Sequence, residues 1–269
     1  MTMPHLIPDP TRKDAWMVRI DGIDQSYVDL ADPTHLEFDY MRRIGDHIDL
    51  HAPEGERLRV VHVGGAGMTL ARYVAVTRPT SPQIVFEPDV SLTEEVREHA
   101  PLPKRSGIKV RAMDGFAGIA SLADDYAEVV ISDAFVDGSI PSQFVTVDYF
   151  AELSRVLVGD GLALFNLTDR HQFEWTKRVV AGLATVFPQV VLSADPASFR
   201  ARRFTNLVVA ASIIDHPEAA LSRRFASAAF PSRLIGSDEI PAFISGYKPF
   251  VASDTQASPP PAVKLTWFG

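Results

Sequence analysis

The chain has 269 residues, 46% of them hydrophobic, and 26 Lys and Arg against 34 Asp and Glu leave a formal net charge of -8. That length buries a full core, and one large α/β domain with small additions fits it better than two equal halves. Zero cysteines exclude disulfides, thiolate metal sites and cysteine nucleophiles, and the acidic balance argues against a nucleic-acid binder, which needs a basic face for phosphate.

Residues 1–13, with prolines at 4, 8 and 10, read as a loose lead-in without the basic-then-apolar order of a signal peptide. Trp16 to Ile20 alternates as a strand would, Asp21-Gly22 signals a turn, and Gln25 to Leu30 supplies a second strand, which predicts a small hairpin. Asp32-Pro33-Thr34 starts a predicted helix with Leu36, Tyr40, Ile44 and Ile48 on one side. His35, His47 and His51 lie near it. With no carboxylate cluster at ligand spacing, they read as solvated or capping histidines rather than metal ligands.

Leu58 to Val63 is a short apolar run rich in β-branched residues, and it stops at Gly64-Gly65-Ala66-Gly67. A helical pattern (Leu70, Tyr73, Val74, Val76) follows, and a second run, Gln83 to Phe86, ends at Glu87. Strand, glycine turn, helix, strand, acid is the layout of a nucleotide-binding βαβ unit. Its logic is local: glycines bring a ligand close to free helix N–H groups, and a carboxylate at the next strand's end accepts from two ribose hydroxyls.

Beyond Glu87, Ser91 or Thr93 is placed to cap a helix running to His99. Ile108 to Ala112 is a predicted strand that leaves through Met113-Asp114-Gly115-Phe116; Gly118 to Ala123 is a short helix; Ala127 to Ser132 is an apolar strand stopping at Asp133. A loop over Ala134 to Thr146 leads to a helix from about Val147 to Leu157, in which Tyr149 and Phe150 read as core. The turn Gly159-Asp160-Gly161 then feeds the strand Leu162 to Asn166. A helix over Phe173 to Val186 precedes the strands Gln189 to Ser193 and Asn206 to Ser212, predicted as an antiparallel hairpin at the sheet edge, with Arg200, Arg202 and Arg203 in a solvated turn between them. Ala219 to Ala228 is the final predicted helix. The organisation expected is a lead-in, hairpin and first helix over 1–50, a Rossmann-like nucleoside-binding domain over 51–252, and a Pro-rich tail over 253–269, extended or disordered, with Trp267-Phe268 as its anchor. No run approaches the ~20 apolar residues of a membrane span, so the expectation is a cytoplasmic protein that does not engage a membrane.

Glu87, Asp114 and Asp133 end three strands on what should be the carboxyl edge of one sheet, where open α/β folds bind ligands. A nicotinamide unit would want G-x-G-x-x-G, but Leu70 stands at the third glycine position, and no G-x-x-x-x-G-K-[ST] loop occurs anywhere. What remains is a nucleoside without phosphates: one acid for the ribose, one for the adenine amine and one beside the reacting group. That describes an S-adenosyl ligand.

The order Ile20-Asp21-Gly22-x-x-Gln25, Gly64-Gly65-x-Gly67, Glu87, Asp114-Gly115-Phe116 and Ile131-Ser132-Asp133, followed by a loop, Tyr149-Phe150 and a Gly-Asp-Gly turn, resembles spermidine synthase and its bacterial spermidine synthase-like relatives over roughly residues 16–212. The resemblance implies a class I methyltransferase-type, mostly parallel sheet with an antiparallel edge and a small N-terminal β element. It further implies decarboxylated S-adenosylmethionine as co-substrate, aminopropyl transfer to putrescine or a related amine, and a homodimer. Position by position it sets Gln25 near the thioether side, Gly64, Gly65, Gly67 and Gly115 along the nucleoside, Glu87 on the ribose hydroxyls, Asp114 on the adenine amine and Asp133 as general base. The chemistry needs that base: the amine attacks the carbon next to a sulfonium, and a protonated amine has no lone pair. The sulfonium activates its own leaving group, so no metal is required.

The chain also departs from the family pattern. The Asp that spermidine synthases carry in the glycine loop becomes Gly67. The second Asp after the catalytic one becomes Val136, with Asp137 one place late, and the tyrosine and histidine of the first helix correspond to Phe38 and Asp39. Asp39 and Asp137 are therefore the candidate substrate contacts, standing in from altered positions. The room Gly67 leaves for a carboxylate keeps open a methyltransferase that uses intact S-adenosylmethionine, and a family member that binds the nucleoside but has lost the chemistry is a further alternative.

Overall fold

The chain opens on a three-stranded antiparallel sheet in the order β1 (His5–Pro8), β2 (Ala15–Ile20), β3 (Ile23–Asp29). The structure is a computed structural model that describes residues 5–200 and 204–261; Arg202, Arg203, Trp267 and Phe268 lie outside the described residues. Asp21 and Gly22 both take positive φ, as the tight turn between β2 and β3 demands. The stretch expected as a loose lead-in contains β1, which pairs His5 with Arg19 through Pro8 with Trp16 on the outer edge, where a proline is tolerated.

Helix α1 (Asp39–His51) starts later than Asp32-Pro33-Thr34 suggested. The Asp29 side chain accepts from the Ala31 and Asp32 N–H groups, and that of Asp32 accepts from the Thr34 N–H and hydroxyl, so these side chains bind their own backbone in turns rather than a helix start. His47, expected to be a solvated or capping histidine, is buried on α1 with its ring centroid 5.9 Å from that of Phe225.

The main sheet follows from alternating elements: β4 (Val60–Val63), α2 (Thr69–Thr77), β5 (Gln83–Phe86), α3 (Val90–His99), β6 (Ile108–Arg111), α4 (Gly115–Ala120), β7 (Ala127–Ser132), α5 (Val147–Val156), β8 (Leu157–Arg170), α6 (Glu174–Val186), β9 (Gln189–Ala194), β10 (Phe204–Ser212), α7 (Glu218–Ser227) and β11 (Arg233–Ile235). Asp89, rather than Ser91 or Thr93, caps α3 by accepting from the Leu92 N–H. The eight strands lie in the order β11-β9-β10-β8-β7-β4-β5-β6. From β8 to β6 every pairing is parallel, and β10, β9 and β11 pair antiparallel. Strands β9 and β10 pair as expected and, with the short β11 added outside β9, form the antiparallel edge of the sheet.

Helices cover both faces. Helices α5 and α6 bury Phe150, Leu153, Val179 and Leu183 against one side of the sheet, and α1 and α2 bury Ile44, Ile48, Leu70 and Val74 against the other. The inner strands β4, β5 and β7 are accordingly buried along almost their whole length, as strands covered on both faces must be, whereas the edge strand β6 alternates, exposing Lys109 and Arg111. Chain order reverses at β4, whose neighbours are β5 and β7; at such a switch point the carboxyl ends of the strands open a crevice.

The segment from Asp254 to Pro261, expected to be extended or disordered, is tied down. The Ser258 hydroxyl accepts from the Ile140 N–H at 2.8 Å while the Ser258 N–H donates to the Ile140 carbonyl at 3.0 Å, and the Trp175 indole donates to the Gln256 carbonyl at 3.0 Å.

Candidate active site

At that switch point lies a cavity of about 290 Å³ between the N-terminal hairpin, the glycine turn and the ends of β7, β8 and β10. Its floor is the turn after β4. Gly64 has φ +91, and a Cβ there would strike the backbone carbonyl of Asp133, so only glycine lets the β4 and β7 exits lie side by side. Ala66 and Met68 also take positive φ, which tightens the turn before α2 begins at Thr69.

Glu87 stitches the turn from the other side. One of its oxygens accepts from the Gly65 N–H at 2.9 Å and the Ala66 N–H at 3.2 Å, and the other from the Asp89 N–H at 3.0 Å. Three of the roughly four lone-pair positions of a carboxylate are thereby used, leaving room for one further donor.

Asp133 leaves β7 and faces the cavity. Its Oδ1 accepts from the Asn166 side-chain amide at 2.7 Å and its Oδ2 from the Tyr40 hydroxyl at 3.3 Å. Burial pushes its carboxyl up to about 6, and the bonds from Asn166 and Tyr40 pull against that rise. Burial and the Asp133 charge drive the Tyr40 phenol well above its ordinary range, so it stays a donor.

Of the residues singled out from sequence, Gln25, Gly64, Gly65 and Asp133 line this cavity. Glu87 is held against it through Gly65. Asp114, at the end of the neighbouring strand, caps α4 by accepting from the Phe116 and Ala117 N–H groups, and Gly115 packs on Val63. Asp39 pairs with Arg42 at 3.0 Å, and Asp137 sits in an exposed turn; neither lines the cavity.

Gly67 corrects a sequence inference: a Cβ there would lie 2.6 Å from Val28 Cγ2 and 2.8 Å from Ser26 Oγ. The position is filled by the hairpin and offers no room for a carboxylate.

Sequence reasoning missed several lining residues. Tyr40 puts a tyrosine on the first helix after all, displaced from the position of Phe38. Asn166 and Thr168 alternate on β8, and Asn206 stands opposite Thr168 on β10. Polar residues two apart on a strand otherwise apolar on both faces were the available signal. Asp24, on the hairpin side, takes Arg19 on both oxygens, at 2.6 and 3.2 Å. Among the described lining residues there is no Arg or Lys, and His62 is held neutral by burial, its imidazole pulled down to about 4. Among the described residues no three His, Asp or Glu side chains group as a metal site, and no helix is long and apolar enough to cross a membrane.

No family model and no curated protein matches the chain. Solved structures do. A probable spermidine synthase from Corynebacterium glutamicum superposes with a TM-score of 0.86 at 29% sequence identity, covering 92% of this chain and 92% of its own. Human methyltransferase-like protein 13, solved in complex with SAH, aligns at TM-score 0.57 and 19% identity over 80% of this chain and 96% of its own. A spermidine synthase in complex with the transition state analogue AdoDATO aligns at TM-score 0.54 and 15% identity over 90% of this chain and 80% of its own. The last two are likenesses of fold, whereas the first extends across nearly the whole of both chains. The chain thus has the architecture of the spermidine synthase and bacterial spermidine synthase-like family, built on the class I methyltransferase fold.

Proposed function

We propose that the chain is a spermidine synthase-like transferase that moves the aminopropyl group of decarboxylated S-adenosylmethionine to an amine acceptor, with Asp133 as general base. The observation that carries this reading is the placement of Asp133: a carboxylate held on both oxygens, pushed up to about 6, between the glycine turn and the rest of the cavity. A base of that kind takes a proton from an ammonium and is ionised at neutral pH.

The adenosine lies over Gly64 and Gly65 with a ribose hydroxyl on the remaining acceptor position of Glu87, and Gln25 borders the sulfonium. Asp114, bound to two N–H groups of α4, keeps acceptor positions for the adenine amine. In the reaction the acceptor ammonium gives one proton to Asp133, the freed nitrogen bonds to the carbon beside sulfur, and that carbon–sulfur bond breaks with its electron pair staying on sulfur. The products are a secondary ammonium and neutral methylthioadenosine. Holding both partners in one cavity supplies much of the rate.

Decarboxylated rather than intact S-adenosylmethionine is favoured because no described lining residue is cationic, so a methionine carboxylate finds no partner, while the aminopropyl ammonium faces Asp24. The homodimer belongs to this same reading by family resemblance.

The test is release of methylthioadenosine from decarboxylated S-adenosylmethionine with an amine panel. Asp133→Asn is expected to lower turnover by about 10²–10⁴-fold while retaining methylthioadenosine binding. Methyl transfer from intact S-adenosylmethionine, or nucleoside binding without turnover for every amine, would overturn the reading in favour of a methyltransferase or a binding protein.

A further inference from the structure

Beyond Asp133 the cavity is walled by neutral groups. Strands β8 and β10 run antiparallel there, with Asn206 opposite Thr168, and Phe38, Phe135 and Phe204 close the sides. The carboxylates among the described lining residues are Asp133 and Asp24, and Asp24, on the hairpin and already bonded to Arg19 through both oxygens, is the one the reading above gives to the aminopropyl ammonium.

A diamine carries two ammonium groups at neutral pH. One of them meets Asp133. The second would be desolvated among phenyl rings and amides with no carboxylate to balance it, and an unpaired buried charge is strongly unfavourable. An alkyl or aryl chain in the same place buries apolar surface against Phe38, Phe135 and Phe204, and the amides of Asn166 and Asn206 tolerate a neutral polar substituent.

We infer that the acceptor is a primary monoamine whose body beyond the reacting nitrogen is apolar or neutral, and that diamines are discriminated against by the missing second carboxylate. This rests on the reading above only in placing the reacting amine at Asp133.

Calorimetry on the full chain saturated with methylthioadenosine, in mildly alkaline buffer where Asp133 is ionised, compares butylamine with putrescine and hexylamine with hexamethylenediamine. Each monoamine is expected to bind about tenfold or more tightly than its diamine, a gap that one unpaired ammonium readily supplies. Equal or tighter binding of the diamines overturns the inference, and so does failure of both classes to bind. Phe204 is half-buried at the start of β10, and Phe204→Asp, which sets a carboxylate on that wall, is expected to erase the preference; an unchanged preference would show that the wall does not read the second charge. Because binding is read without turnover, the two ideas fail separately. Monoamine binding with no methylthioadenosine release sinks only the transfer reaction, and release with putrescine preferred sinks only the monoamine.

Discussion

Asn166 donates its side-chain amide to Asp133 Oδ1 at 2.7 Å, while its own carbonyl oxygen accepts from the Asn206 amide at 2.9 Å. Neither amide titrates, so the relay orients the Asp133 carboxylate without adding a second proton to the site. Because the donated bond favours the ionised form, it holds down a carboxyl that burial has pushed up to about 6. Transfer through Asp133 needs that carboxylate ionised, so log kcat/KM should fall as pH drops through about 6. Asn166→Ala removes the donor, and the acid limb should move to higher pH by roughly half to one unit. A profile from pH-dependent methylthioadenosine release checks this, and an unmoved limb would mean that another group sets it.

The same burial makes Asp133 costly to the fold. Its folded pKa, about 6, lies above the ordinary 3.8, so between these values the folded chain holds a proton that the unfolded chain has released. Stability therefore falls as pH rises through that window, and the cost persists at every higher pH. Asn at 133 has the same shape, accepts from Asn166 and donates to Tyr40. Asp133→Asn is expected to be more stable than the parent at pH 8, by on the order of 1–3 kcal/mol, and equal to it near pH 4. Urea unfolding at the two pH values measures the difference, and an advantage of equal size at both would contradict the burial cause.

How much of this was legible beforehand differs by residue. Gly64, Glu87 and Asp133 announced themselves because turn geometry and strand ends are local in sequence, and the βαβ pattern between Leu58 and Asp89 folds as that pattern reads. The parallel sheet followed from alternation of strands and helices. Asn166 and Thr168 left only the weak signal of polar residues on an apolar strand, and Asn206 left none, since it matters only once β10 inserts beside β8 and sets it opposite Thr168. Nothing local to the chain near residue 206 specifies that neighbour. Tyr40 was legible as one of the inward residues of α1, but its bond to Asp133 was not, because that contact joins residues 93 apart in sequence. Asp114 was read for its ligand chemistry, and its helix-capping role is equally legible from the Gly115-Phe116-Ala117 that follows.

Gly67 separates a missing ligand from a missing space. Its Cα hydrogen points at Ser26 and Val28 of β3, with only 2.8 and 2.6 Å available to a Cβ. Gly67→Ala should therefore destabilise by about 1–3 kcal/mol through overpacking, and Gly67→Asp by at least as much, with no gain in affinity for a ligand ammonium. The urea midpoint and calorimetric titration with decarboxylated S-adenosylmethionine report the two effects. Tighter binding by Gly67→Asp would mean that the turn opens to the cavity after all.

Ser258 fastens the C-terminal strap to the loop that follows Asp133. Its hydroxyl accepts from the Ile140 N–H at 2.8 Å and lies 3.3 Å from the Thr168 hydroxyl, and the residue is 2% exposed. Three residues on, Pro261 packs over Gly138 and lines the cavity. Ser258→Ala leaves the Ile140 N–H buried without its acceptor, a loss of about 1–3 kcal/mol, and the strain falls on the loop and strap that together wall the acceptor end. The amide of Ile140 should exchange faster with solvent, and KM for the amine should rise severalfold while kcat changes little, because Asp133 keeps both Asn166 and Tyr40. Equal loss in kcat would show instead that the strap holds the base itself, and unchanged exchange at Ile140 would show that Ser258 does not fasten the loop.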